Sequence, residues 1–310
     1  MVKKSQKPAY ILGSVWYTAF IYRPGGLCTM LDVLLDTVID CLKLLPFLFA
    51  AYLAIEIIED RAEEKTVAMI NKAGRWSPVA GACLGVIPQC GFSAAIANLY
   101  AGGLITRGTL LAVFLSTSDE MLPILISGGA GGGFIAKVLL FKAAAGMLVG
   151  VAADTLERRL SGGRRRTLHE LCEQEDCRCE DGILKSALRH TGKILAFIFL
   201  VTLVMNLAVE LAGPERLIRF VLNRPVLGEF LAGLIGLIPN CAASVVLTSL
   251  YLQGAASAGS MIAGLLVGSG VGILVLLRMN RDWKDNLITL SVLYAGGVLF
   301  GLAAEAMNIF

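Results

Sequence analysis

Two adjacent carboxylates, Asp119 and Glu120, stand in the middle of an apolar stretch at roughly 109–127. Ionisable groups at membrane depth are costly unless they face a watery path or a cation, so such a pair reads first as an ion site. With Ser118 beside them they offer oxygen ligands of the kind manganese or calcium prefers. A salt bridge to Lys142 or Arg107 that only fixes helix packing is the competing reading. Thiols form a second set: Cys90 follows Pro88-Gln89, and Cys241 follows Pro239-Asn240. A single membrane cysteine is usually a small hydrophobe. Two of them, each two residues past a proline and each beside an amide side chain, point toward function and would suit trivalent arsenic, cadmium, zinc or copper. Asn98, a polar side chain in an apolar stretch, belongs with the oxygen ligands that suit manganese or calcium, with helix-to-helix hydrogen bonding as its alternative role. Ser93 and Ser244 lie three residues beyond the two cysteines.

A third set comes from the first helix of each half. Asp32, Asp36, Asp40 and Lys43 fall on one helical stripe. His190 and Lys193 stand where Asp40 and Lys43 stand, 150 positions later. One half thus offers a carboxylate and the other an imidazole. Asp119, Glu120, Asp40 and His190 are the expected metal ligands and proton carriers.

The elements that must position these residues are written twice. Gly85-Val86-Ile87-Pro88-Gln89-Cys90 returns as Gly236-Leu237-Ile238-Pro239-Asn240-Cys241, 151 positions later. The register holds through Ser93 and Ser244, Tyr100 and Tyr251, Gly108 and Gly259, and on to Gly150 and Gly301. Asp119-Glu120 is answered by Gly270-Val271, so the duplicated cavity is chemically lopsided. Hydrophobic residues make up 56% of the chain and charged residues 16%, with mean hydropathy +0.73. That balance excludes an ordinary soluble domain. Eight apolar stretches near the ~20 residues a membrane helix needs run from about 33 to 308. The expected class is all-α: a polytopic membrane protein of two homologous halves, because alternating barrel strands are absent. Proline and glycine inside 78–104 and 226–254 predict broken or re-entrant helices there, with Pro88 and Pro239 at the breaks. Each half then crosses the membrane an odd number of times, which makes the repeat inverted.

The division is 1–30, an N-terminal extension; 31–155, the first transmembrane repeat; 156–182, a linker; and 183–310, the second repeat. The linker opens with Arg158-Arg159 and Arg164-Arg165-Arg166, which favours the cytoplasmic side. It continues with His169, Cys172, Cys177 and Cys179 among acidic residues. This is either a weak metal-capture segment or a solvated linker with reduced thiols, since the spacing is no standard zinc framework. Arg107, Arg278, Arg281 and Lys284 belong on the linker's side, and Arg216, Arg219 and Arg224 on the other. The net charge of +3 is spread over loops and implies no nucleic-acid partner.

The motifs at 85–93, Ile105-Thr106-Arg107-Gly108-Thr109, Thr117-Ser118-Asp119-Glu120 and 238–244 resemble those of the ten-helix heavy-metal exporters. This bacterial family is often labelled arsenic efflux proteins or manganese transporters. The similarity runs from about 31 to 305, with a more distant likeness to organoarsenical permeases. It implies ten helices, export, and a bacterial inner-membrane location.

No phosphate-binding loop of the Gly-x4-Gly-Lys-Ser/Thr kind occurs, so energy must come from an ion gradient or from the substrate's own gradient. The leading expectation is a secondary exporter of metal ions, manganese first, exchanging for protons. An arsenite, organoarsenical or other soft-metal permease is the alternative. A membrane enzyme or assembly factor is the non-transport alternative; neither His169 nor His190 has an evident nucleophilic partner, so no enzyme is expected. The expected partners are the ion and membrane lipids, with a homodimer as an allowed assembly, and no cofactor is required.

Overall fold

A computed structural model describes residues 34–53 in part, 76–86, 90–118, 121–161, 183–212, 226–239 and 242–310. All regular structure among them is helical. The described part of 34–53 is helical and precedes eleven helices: α1 (Ser77–Gly85), α2 (Cys90–Ala101), α3 (Arg107–Ser116), α4 (Met121–Ser127), α5 (Gly132–Ser161), α6 (Ile183–Ala212), α7 (Leu227–Gly236), α8 (Ala242–Leu252), α9 (Ala258–Val267), α10 (Gly272–Met279) and α11 (Trp283–Ala306). The bounds of α3 recur in α9 at the 151-residue offset, and the starts of α4 and α5 recur in those of α10 and α11.

Matching chemistry sets these boundaries. Thr106 and Ser257 are extended N-cap residues whose hydroxyls accept the amides of Thr109 and Ser260. Each satisfies one orphan donor of a helix start. A carboxylate from the long helix of the same half satisfies another. The amide of Gly108 donates to Asp154 at 2.7 Å, and that of Gly259 to Glu305 at 2.6 Å. The turn before each cap holds a glycine at φ 71°, Gly103 and Gly254, a conformation glycine adopts without a Cβ penalty.

Small residues let these helices come close. A Cβ on Gly150 would meet the carbonyl of Gly108 at 2.5 Å, and one on Gly301 would meet that of Gly259 at 2.8 Å. Close backbone approach of this kind drives helix association in lipid, where burying apolar surface gains little. The two inner spans, 107–127 and 258–279, are 81% and 89% buried. The outer spans, α5 over 132–159 and α11, are 33% and 39% buried, with Leu140, Leu148, Leu287 and Leu299 exposed. These four segments are the described helices long and apolar enough to cross a membrane. The chain is therefore a helical protein of membrane character, with two largely buried central segments flanked by two more exposed apolar ones.

Both central segments are interrupted. The expected continuous helix over 109–127 is not found: α3 ends at Ser116, Thr117 is an extended C-cap, and α4 starts at Met121. In the second half α9 ends at Val267 and α10 starts at Gly272, with Gly270 at φ 53° between them. At the second Pro-x-Cys motif α7 stops at Gly236, Pro239 lies in a bend, and α8 starts at Ala242. The helices on either side of these motifs have 9–12 residues. Each is roughly half the ~20 residues that a crossing needs.

Candidate functional site

The helix interruptions meet one another. At the end of α1, Gly85 faces Ser116 and the Val113 carbonyl, where α3 stops. Ser118, 1% exposed, donates its hydroxyl to the carbonyl of Val86 at 2.8 Å. This bond ties the interruption after α3 to the chain entering the first Pro-x-Cys motif. In the second half a Cβ on Gly236 would meet the Gly268 amide at 3.2 Å, so the ends of α7 and α9 abut in the same way. The halves then join: a Cβ on Gly272, the first residue of α10, would lie 2.9 Å from Ser93 and 2.9 Å from Phe114. Ser93, on the first turn of α2, is fully buried.

A buried cation lies on the same level. Lys142 on α5 is 1% exposed, and its ammonium donates to the carbonyl of Leu265 at 2.5 Å. Leu265 is among the last four residues of α9, whose carbonyls lack intrahelical partners and carry the negative end of the helix dipole. Along α5, Gly150 touches Gly108 and Ala112 of α3, and Gly146 touches Ala112 and Ser116. One further turn back, Lys142 comes level with the residues that follow Ser116. It therefore links the α3–α4 interruption of one half to the helix end that precedes the α9–α10 interruption of the other. Position 293, its counterpart, is a buried leucine, so this charge belongs to the first half alone.

Arg107 finds acidic partners on α5 and α11. It starts α3, and its guanidinium donates to Asp285 at 2.5 Å, with Glu157 at 3.7 Å. The Tyr100 hydroxyl donates to Asp285 at 2.8 Å, and the Asn280 side-chain amide donates to the same carboxylate oxygen at 2.5 Å. Arg107 thus closes a polar cluster at the end of the inner spans, about 14 Å of helical rise from the last residue of α3, Ser116. Among the other expected site residues, Asn98 is fully buried, and neither atom of its side-chain amide has a hydrogen-bond partner. Buried amides of this kind demand an explanation, because each unmet group costs about 1–3 kcal/mol. Ser244 and Pro239 are half-buried at the second motif.

Asp40, Pro88, Gln89, Asp119, Glu120, Asn240 and Cys241, and the linker residues His169, Cys172, Cys177 and Cys179, lie outside the described residues. So do the side chains of Cys90 and His190, although both positions are helical. Among the described residues no three acidic, cysteine or histidine side chains gather into a metal-holding group. The interruptions of the two halves thus bring Ser93, Ser118 and Lys142 toward one region. In the sequence Lys142 reads only as a salt-bridge partner, although the leucine at its counterpart position 293 signals a charge special to the first half. The helix-start carboxylates Asp154 and Glu305 escaped notice because each caps a helix 46 residues away in sequence.

No family model, curated protein or solved structure matches this chain.

Proposed function

We propose that the protein is a secondary transporter that exports metal ions across the bacterial inner membrane, with manganese the favoured cargo and protons the coupling ion. The observation that carries this reading is the interruption of both central, protein-enclosed spans at corresponding positions. Broken backbone at membrane depth is tolerated where it is buried in protein or lines a cavity, and discontinuous helices commonly form ion sites in secondary transporters. The resemblance to ten-helix heavy-metal exporters points the same way.

In this reading the halves are inverted. Support comes from which helix ends touch. The start of α3 lies beside the end of α5 through Gly108 and Asp154, and the start of α9 beside the end of α11 through Gly259 and Glu305. Yet Arg107, at the start of α3, pairs with Asp285 at the start of α11. The starts of α3 and α9 therefore belong to opposite ends of the bundle. The aromatic contacts agree: Tyr100 meets position 285, and its counterpart Tyr251 stacks at 5.6 Å on Phe134, the counterpart of 285. The end carrying Arg107, Arg158, Arg159, Arg278, Arg281 and Lys284 is the cytoplasmic one by the positive-inside rule.

Asp119 and Glu120 would bind the cargo between α3 and α4, near Ser118 and Ser93. Asp40 and His190 would carry protons. Cys90 and Cys241, each next to the start of a half-length helix, keep a trivalent-arsenic cargo as the second reading. The test is a metal panel in a host lacking its own exporters, with cell-associated manganese, zinc, cadmium and arsenic measured by elemental analysis. A selective fall in manganese supports the lead. A fall in arsenic alone reverses the order, and unchanged contents would end the exporter reading for these ions.

A further inference from the structure

At the bundle end opposite Arg107, two carboxylates converge on the start of α9. Glu305 accepts the amide of Gly259 at 2.6 Å. Glu229, on the first turn of α7, is fully buried, and among the described residues no side chain closes a hydrogen bond to either of its oxygens. One oxygen of Glu229 and one of Glu305 lie 2.8 and 2.9 Å from the same point, the place a Cβ on Gly259 would occupy. The first half has no such pair. Position 78, the counterpart of 229, is proline, and Asp154, the counterpart of Glu305, accepts bonds from Gly108 and from the Thr106 hydroxyl. The second half has therefore gained a buried acid beside one that already occupies the helix start.

We propose that Glu229 and Glu305 form a proton-sharing carboxyl pair, a proton-binding site at the end of the transport path away from the basic cluster. Two carboxylates this close, one of them cut off from water, cannot both stay ionised without a cation between them. The surroundings supply none among the described residues. α7 and α9 carry no charged side chain besides Glu229. On α8 the titratable group is the Tyr251 phenol, within electrostatic reach of Glu305. On α11, Lys284 and Asp285 stand at the opposite end of the helix. Glu305 is half-buried and opens the pair to solvent, whereas Glu229 carries it inward. The helix-start amide steadies the negative charge that remains.

This inference deepens the proton-coupling part of the proposed function and rests on it for its role, while the pair itself can be tested without transport. The full chain in lipid nanodiscs would be titrated by difference infrared spectroscopy, following the C=O stretch of protonated carboxyl groups, in wild type, Glu229→Gln and Glu305→Gln. The expected result is a carboxylic-acid band in wild type at neutral pH that disappears in Glu229→Gln and shifts in frequency in Glu305→Gln, where the proton on Glu229 has lost its neighbouring carboxylate. Glutamine has the shape of a protonated glutamate, so both variants should keep their helical circular dichroism. A neutral-pH spectrum unchanged by either substitution would overturn the pair. So would loss of the band on adding manganese at equimolar concentration, which would make the site a metal site. The band present with no counterflow of either manganese or arsenite in liposomes would retain the pair and remove the exporter reading.

Discussion

Lys142 shows how one side chain can bind two halves of a membrane protein together. Its ammonium is buried within a 30-residue helix and ends on a carbonyl of α9, a helix of the other repeat. A hydrogen bond involving a charged group is worth about 1.5–3 kcal/mol. Lys142→Met keeps most of the apolar stem and removes the charge, so export should fall at least about tenfold, equivalent to ~1.4 kcal/mol, while the protein still reaches the membrane. Wild-type export by that variant would leave Lys142 as packing only. Asp119→Asn and Glu120→Gln should each abolish export without loss of expression, measured as metal tolerance of the host. Full tolerance in both would make these carboxylates structural. At the cap, Thr106→Ala removes the acceptor for the Thr109 amide and should cost about 1 kcal/mol, read as a lower melting temperature.

The helices are held by glycines at particular crossings, and these can be separated from glycines that merely turn. A side chain at Gly150 would run into the Gly108 carbonyl at 2.5 Å and the Ala112 methyl at 2.8 Å, whereas nothing lies within 4 Å of Gly131. Gly150→Leu should destabilise by about 1–3 kcal/mol or more through overpacking, and Gly131→Ala should stay within about 0.5 kcal/mol, compared by thermal unfolding in detergent. Equal effects would contradict the packing described. This scale also shows why only part of the architecture was legible. The break at Pro239 could be read because proline removes a helical hydrogen bond. The break after Ser116 was signalled less directly, by Pro123 in the first turn of α4, which has no N–H to continue a helix running through residue 119. Its counterpart Gly268-Ser269-Gly270-Val271 held a plainer signal, two glycines at the matching position. Glu229 was invisible for a different reason: its meaning depends on Glu305, which only the packing of α7 and α11 around α9 brings near.

On the scale of the whole molecule, the duplication was legible from end to end because a constant offset needs no knowledge of contacts. The relative direction of the halves was harder, since it depends on counting crossings through short, broken helices. Ala130 and Arg281 occupy equivalent places in the two repeats, so cysteines placed there report that direction. Ala130→Cys and Arg281→Cys should react with a membrane-impermeant thiol reagent from opposite faces, and labelling from the same face would make the halves parallel. The paired interruptions, the buried Lys142 and the basic bundle end all bear on one claim, that the protein moves metal ions by exchange. Counterflow in liposomes reconstituted with the purified full chain tests it most directly. Vesicles loaded with manganese should accumulate radiolabelled manganese from a dilute bath, faster under an opposing proton gradient and not with Asp119→Asn. Tracer uptake no greater than in protein-free vesicles, for manganese and for arsenite alike, would contradict the account.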